Sequence, residues 1–100
     1  MAVIDWEDAA LGDPLADVAC ARVELSCMRD GATAARFTTA YEKCSARPLD
    51  RARLAGWDLY VSTAALQSMH SWGLAADALA ARSAATTAWQ ADALRVLGIA

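Results

Sequence analysis

A chain of 100 residues with a formal net charge of −3 and only nine lysines and arginines has no basic footprint for a nucleic acid or an anionic membrane. Hydrophobic residues make up 57% of it, with five Gly and two Pro, which excludes a disordered or low-complexity polypeptide. Its 26 alanines and 11 leucines, both strong helix formers, exclude an all-β fold. The expected class is mainly α.

In chain order, Ala2-Val3-Ile4 reads as a short extended piece, followed by an acidic cluster and then by Gly12-Asp13-Pro14, a turn that starts a helix. Asp13 suits the N-cap and Pro14 the first helical position. From Leu15 to about Arg29 one stripe carries Ala16, Ala19, Cys20, Val23 and Cys27, and Gly31 is expected to end this helix. A second helix is predicted over about 33–45 with Phe37, Ala40, Tyr41 and Cys44, stopping before Pro48. The third starts behind Asp50 and runs to about Trp72. Its main stripe is Leu54, Trp57, Val61, Ala64, Ala65, Ser68 and Trp72, with Leu59 and Leu66 opposite, so it should lie between neighbours. After Gly73 an alanine-dense fourth helix spans about 75–97, its small side chains permitting close helix contact. No repeat or linker interrupts this order.

Charge is unevenly placed. Residues 1–17 hold Asp5, Glu7, Asp8, Asp13 and Asp17 and no base, whereas the remainder holds all nine bases. Three cysteines, Cys20, Cys27 and Cys44, form no Cys-x-x-Cys pair, and the N-terminus has no basic-then-apolar targeting pattern, so the expected location is the cytoplasm. The longest stretch free of formal charge, Leu59 to Ala76, is too rich in Ser, Thr, Gln and His for a membrane span.

In an extended segment alternate side chains share a side, so Asp5 and Glu7 could face one ion. Two carboxylates suit magnesium, which takes one or two together with water and phosphate oxygens. Spacing alone leaves a second reading open, a solvated turn whose acids complement the following helix dipole.

The run VIDWEDAALGDPLADVA, residues 3–19, resembles the metal-binding segment of the aminoglycoside phosphotransferase and choline kinase-like family, I-D-[WF]-[ED]-x-A-x-x-G-D-P-x-x-D-[LIV]-A. Every specified position is met, from Ile4, Asp5, Trp6 and Glu7 through Ala9, Gly12, Asp13 and Pro14 to Asp17, Val18 and Ala19. The resemblance implies a kinase-like fold of which this chain is the C-terminal helical portion. Residues 1–14 would be its metal-binding segment and turn, and 15–100 its helical region, together one domain. It implies Asp5 as the magnesium ligand that holds ATP phosphates and Glu7 as a candidate second ligand. Asp17 would support the backbone of the catalytic loop, while Gly12, Asp13 and Pro14 shape and cap the turn. The cofactors implied are Mg²⁺ and ATP, and the reaction is transfer of the γ-phosphate to a hydroxyl of a small molecule. The helices after Arg29 would build the acceptor pocket.

The family's upstream H-G-D-x-x-x-x-N loop and nucleotide-binding lobe are not in this sequence, whose one histidine, His70, precedes Ser71-Trp72. The expectation is therefore a fragment that carries no catalytic residue and is inactive alone, partnered by a missing N-terminal kinase portion. Its exposed apolar face could also self-associate. The competing expectation is a free-standing helical binding or assembly module, in which the carboxylates only cap and solubilise.

Other residues are read more plainly. His70 should be packed and hydrogen-bonded, Cys20 and Cys27 inert core thiols, and zinc disfavoured by ligand spacing. Arg22, Arg29, Arg36 and Lys43 recur every seven residues and are read as solvated faces. Trp57, Trp72 and Trp89 are core residues or walls of a sugar- or amine-binding pocket. Asp58, Asp77 and Asp92 either meet a cationic acceptor or are surface charges.

Overall fold

The computed structural model describes residues 13–45 and 48–99, and these form four helices and one short 3₁₀ turn. The expected extended piece at Ala2-Val3-Ile4 lies outside the described residues. Helix α1 spans Pro14–Met28, with Asp13 as N-cap accepting from the Leu15 amide at 3.0 Å and Pro14 in the first turn. Its last turn closes on Arg29, whose amide donates to the Leu25 carbonyl.

Helix α2 spans Gly31–Cys44. Gly31, expected to terminate α1, is instead the first residue of α2. The reason is Asp30, whose carboxylate accepts from both the amide and the hydroxyl of Thr33 and so starts a new helix two residues after α1 ends. The buried positions of α2 are Ala34 and Thr38, flanked by half-buried Phe37 and Tyr41, while Ala40 and Cys44 of the expected stripe are exposed. Helix α3 spans Arg51–Ser68 behind the Asp50 cap, which accepts from the Arg53 amide at 3.0 Å. It tightens into the 3₁₀ turn Met69–Ser71. Helix α4 spans Ala76–Leu97 and ends at Gly98, whose φ of 74° lets the amides of Gly98 and Ile99 reach back to Arg95 and Leu94.

Helix α3 lies between α1 and α4, α2 packs chiefly on α1, and α1 also touches α4. One apolar cluster joins Leu15, Val18 and Ala19 of α1 to Leu54 of α3, with Phe37, Tyr41, Leu49, Trp57 and Val61 around it. Elsewhere the buried apolar residues are the small Ala16, Ala34, Ala55 and Ala93, as the alanine content leads one to expect, together with Val23 and Met69.

The centre of α3 departs from the expected stripe. Its buried side chains are Leu54, Ala55, Asp58 and Ser62, whereas Trp57, Val61 and Ala65 are half-buried and Ala64 and Trp72 exposed. Two polar residues hold the inner face because each is satisfied there. Ser62 donates to the Asp58 carbonyl at 2.7 Å, and Asp58 meets an arginine described below. Met28, Tyr60, Trp72, Val96 and Ile99 leave apolar surface exposed. No helix among the described residues is long and apolar enough to cross a membrane.

Candidate functional site

Asp5, Glu7 and Gly12 lie outside the described residues, so the described site begins at Asp13. The Asp13 carboxylate receives four donors. Oδ1 accepts from the Leu15 amide at 3.0 Å and from Arg53 Nη2 at 2.9 Å. Oδ2 accepts from Arg53 Nε at 3.2 Å and from Trp57 Nε1 at 2.8 Å. The bonds from Arg53 and Trp57, with help from Leu15, outweigh the cost of partial burial and hold the Asp13 carboxyl at about 2. The N-cap assigned from sequence is thus also a tertiary junction between α1 and the first two turns of α3.

Asp17 sits in the first turn of α1, exposed, where its charge complements the helix dipole. Among the described residues no group bonds to its carboxylate. Pro14 and Asp13 occupy the positions expected of them, and Asp13 and Asp17 lie one turn apart at the N-terminal end of α1.

A second constellation departs from the sequence expectation. Arg22 of α1, expected on a solvated face, is largely buried and lays its guanidinium along the Asp58 carboxylate, Nε on Oδ1 at 3.2 Å and Nη2 on Oδ2 at 2.9 Å. Its remaining Nη1 donates to the Thr38 hydroxyl of α2, and the plane lies over the Trp89 ring of α4, 4.9 Å from its centroid. One side chain therefore ties all four helices together. The sequence carries a signal for this, since Arg22 sits between Ala19 and Val23 on the apolar stripe of α1 and Asp58 is the one charged residue in the otherwise apolar stretch 54–61 of α3. Opposite charges so placed call for each other.

A cavity of about 200 Å³ opens beside this pair, lined by Arg51, Leu54, Asp58, Trp89, Asp92 and Val96 among others. Its carboxylates are committed. Asp58 is held by Arg22 through both oxygens, and Asp92 pairs with Arg95 one turn on. Asp77 lies apart, in the exposed first turn of α4, where it accepts from the Ala78 amide. The Trp89 indole N–H is buried with no acceptor among the described residues.

The remaining sequence candidates separate. His70, expected to be packed, is exposed, because the 3₁₀ turn points Met69 inward in its place. Trp57 is half-buried against Tyr60, edge to face, and Trp72 is exposed with Arg82 over its ring. Cys27 approaches the Thr86 hydroxyl at 3.4 Å, and Cys44 is exposed. Arg29, Arg36 and Lys43 are solvated as expected. No group of three or more metal-ligating side chains exists among the described residues.

The sequence profile of the phosphotransferase enzyme family matches residues 1–57, which takes in the whole acidic run, α1, α2 and the start of α3. The chain belongs to the phosphotransferase enzyme family. The matched stretch of this phosphotransferase-family chain ends at Trp57, the donor that closes the Asp13 junction, and Asp58 and the rest of the Arg22 constellation beyond α2 lie outside it. Comparison with curated proteins and with solved structures gives no match.

Proposed function

We propose that this chain supplies the metal-binding segment and helical region of an ATP- and magnesium-dependent kinase that transfers the γ-phosphate to a hydroxyl of a small molecule. The observation that carries this is the family match over residues 1–57, falling on a run in which Ile4-Asp5-Trp6-Glu7 and Gly12-Asp13-Pro14-x-x-Asp17 are all present. Asp5 and Glu7 are hard oxygen donors, and that chemistry fits magnesium. When bound, the ion would neutralise charge on the ATP phosphates.

In this reading Asp5 is the principal ligand and Glu7 the second. Asp17 accepts hydrogen bonds from the backbone of the catalytic loop, a role for which an exposed carboxylate without a described partner is suited. Asp13 and Pro14 start the helix that presents it. The cavity beside Arg22 and Asp58, with its mixture of paired charges and apolar wall, is the part of the helical region offered to the acceptor. The His-Gly-Asp loop and nucleotide lobe come from polypeptide outside this sequence, met by exposed apolar side chains such as Tyr60 and Trp72, and the whole acts in the cytoplasm.

The test is ATP-dependent phosphorylation of a panel of hydroxylated small molecules, by this chain alone and by the chain expressed with its upstream coding sequence, each with and without Asp5→Ala. Activity confined to the longer form and abolished by Asp5→Ala is the expected result. Activity that survives Asp5→Ala would overturn the metal role, and a longer form inert toward ATP would favour a helical binding module.

A further inference from the structure

The cavity of about 200 Å³ between α1, α3 and α4 has Arg22 and Asp58 in its wall, and the two charges cancel. Of the N–H groups of the Arg22 guanidinium, Nε and one on Nη2 go to Asp58 and one on Nη1 goes to Thr38, which leaves one on each Nη. Each Asp58 oxygen accepts once, and a carboxylate oxygen has a second lone pair to offer. The pair therefore keeps donors and acceptors side by side without a net charge. An ammonium brought to Asp58 would also meet the guanidinium, and a phosphate or carboxylate brought to Arg22 would meet Asp58. A hydroxyl donates and accepts at once, so it satisfies both partners and meets no like charge. The other two ionic residues of the wall are already matched, Asp92 with Arg95 and Arg51 with Glu42. Leu54, Ala55, Ala93 and Val96 give the cavity an apolar side, which suits the C–H face of a ring. A cavity of about 150 Å³ holds benzene, so this one has room for a single ring with its substituents.

We propose that this cavity binds a neutral polyhydroxylated ring the size of one pyranose, its hydroxyls on the free donors of Arg22 and acceptors of Asp58 and its C–H groups against Leu54 and Val96. Taken as the phosphoryl acceptor, such a ring deepens the kinase reading above and rests on it. The acceptor is then uncharged, and Asp58 and Asp92 are not receivers of a cationic one. Binding itself needs only α1, α3 and α4, and it is measured without ATP or metal.

The experiment titrates the full 100-residue chain with glucose, glucosamine and glucose 6-phosphate, which share one ring and differ in charge, and follows the Arg22 Nε–H and Trp89 indole N–H resonances. The expected result is saturable shifts of both resonances with glucose, and binding of the ammonium and phosphate forms weaker by about tenfold or more. Asp92→Asn should leave glucose binding unchanged. Ala93→Leu, which fills the cavity, and Val96→Trp, which narrows it from an exposed position, should each abolish it. If Ala93→Leu does not fold, Val96→Trp decides by the same criterion. Glucosamine bound as tightly as glucose or more so, no shift with glucose, or glucose binding that survives the folded filling variants would each overturn the proposal. The kinase reading is judged separately, by phosphorylation in the longer form. Glucose bound in the cavity while that form is inert toward ATP leaves the site standing and removes its role as acceptor. Phosphorylation of a cationic acceptor by a form whose cavity ignores glucose leaves the kinase reading standing and overturns this one.

Discussion

Replacing Arg22 by methionine keeps most of the side-chain volume and leaves the Asp58 carboxylate buried without its counter-charge. The Asp58 side chain is 6% exposed and that of Arg22 is 14%, so solvent does little to screen the vacancy. Removing one partner of a buried pair costs about 3–5 kcal/mol. For a chain of this size that is a drop in melting temperature on the order of 15–30 °C, against a total stability of about 5–15 kcal/mol. Asp58→Leu strands the guanidinium instead, and the loss should be somewhat smaller because Arg22 keeps the Thr38 hydroxyl and the Trp89 face. The double variant Arg22→Met, Asp58→Leu removes both charges, and apolar residues of similar volume in such a place are often neutral or stabilising. It should therefore lie within about 1 kcal/mol of the wild type, giving a coupling of several kcal/mol between the two positions. Urea unfolding followed by tryptophan fluorescence and by far-ultraviolet circular dichroism measures all four corners of the cycle. Single variants that lose less than about 1 kcal/mol, or a double variant that loses the sum of the singles, would refute the claim that a desolvated pair organises this bundle.

Acid should weaken the chain through its helix caps. Asp13 is held at about 2, below its ordinary 3.8, chiefly by Arg53 and then Trp57, and Asp30 is lowered by the Thr33 amide and hydroxyl. A carboxyl whose folded-state value is depressed contributes stability above its unfolded value and loses it as pH falls, so the melting temperature should decline between about pH 4 and pH 2. Asp13→Asn should flatten that decline while lowering stability at pH 7, and equal slopes in both proteins would contradict the assignment. Two glycines should respond oppositely to alanine. Gly56, in the middle of α3 with open space around an added methyl, should gain about 0.5–1 kcal/mol on Gly56→Ala. Gly98, at φ 74°, should lose about 1 kcal/mol on Gly98→Ala, and thermal melts of the two variants check both signs.

Much of this protein is legible without coordinates, because the signals are local. Caps at Asp13 and Asp50, a proline at the first helical position, Gly73 and the composition place the helices to within a few residues of where they begin and end. The acidic run, a string of residue types at fixed spacing, is continuous in sequence and carries the resemblance to the family whose profile matches residues 1–57. The passage from α1 to α2 is ambiguous at this level, because Gly31 and Asp30 both carry turn signals and only the Thr33 bonds decide which one is used.

Tertiary structure decides what is buried and who holds whom. Hydrophobic periodicity picks Leu54, Trp57, Val61, Ala64, Ala65, Ser68 and Trp72 as the inner stripe of α3; Leu54 is buried there and Trp57 and Val61 pack half-buried against the core, but Ala55, Asp58 and Ser62 take the rest of the inner face and Trp72 is exposed. Periodicity assigns an aspartate to the surface, and the partner that makes burial of Asp58 possible lies 36 positions away on another helix. The same holds for Asp13, whose cap is written in its neighbours Pro14 and Leu15, while its grip on α3 depends on Arg53 and Trp57, which nothing in the local pattern connects to it. Backbone caps satisfy groups within a few residues and so leave a trace in sequence. Charges taken out of water must be matched in space, and the sequence order of the matching residues is free.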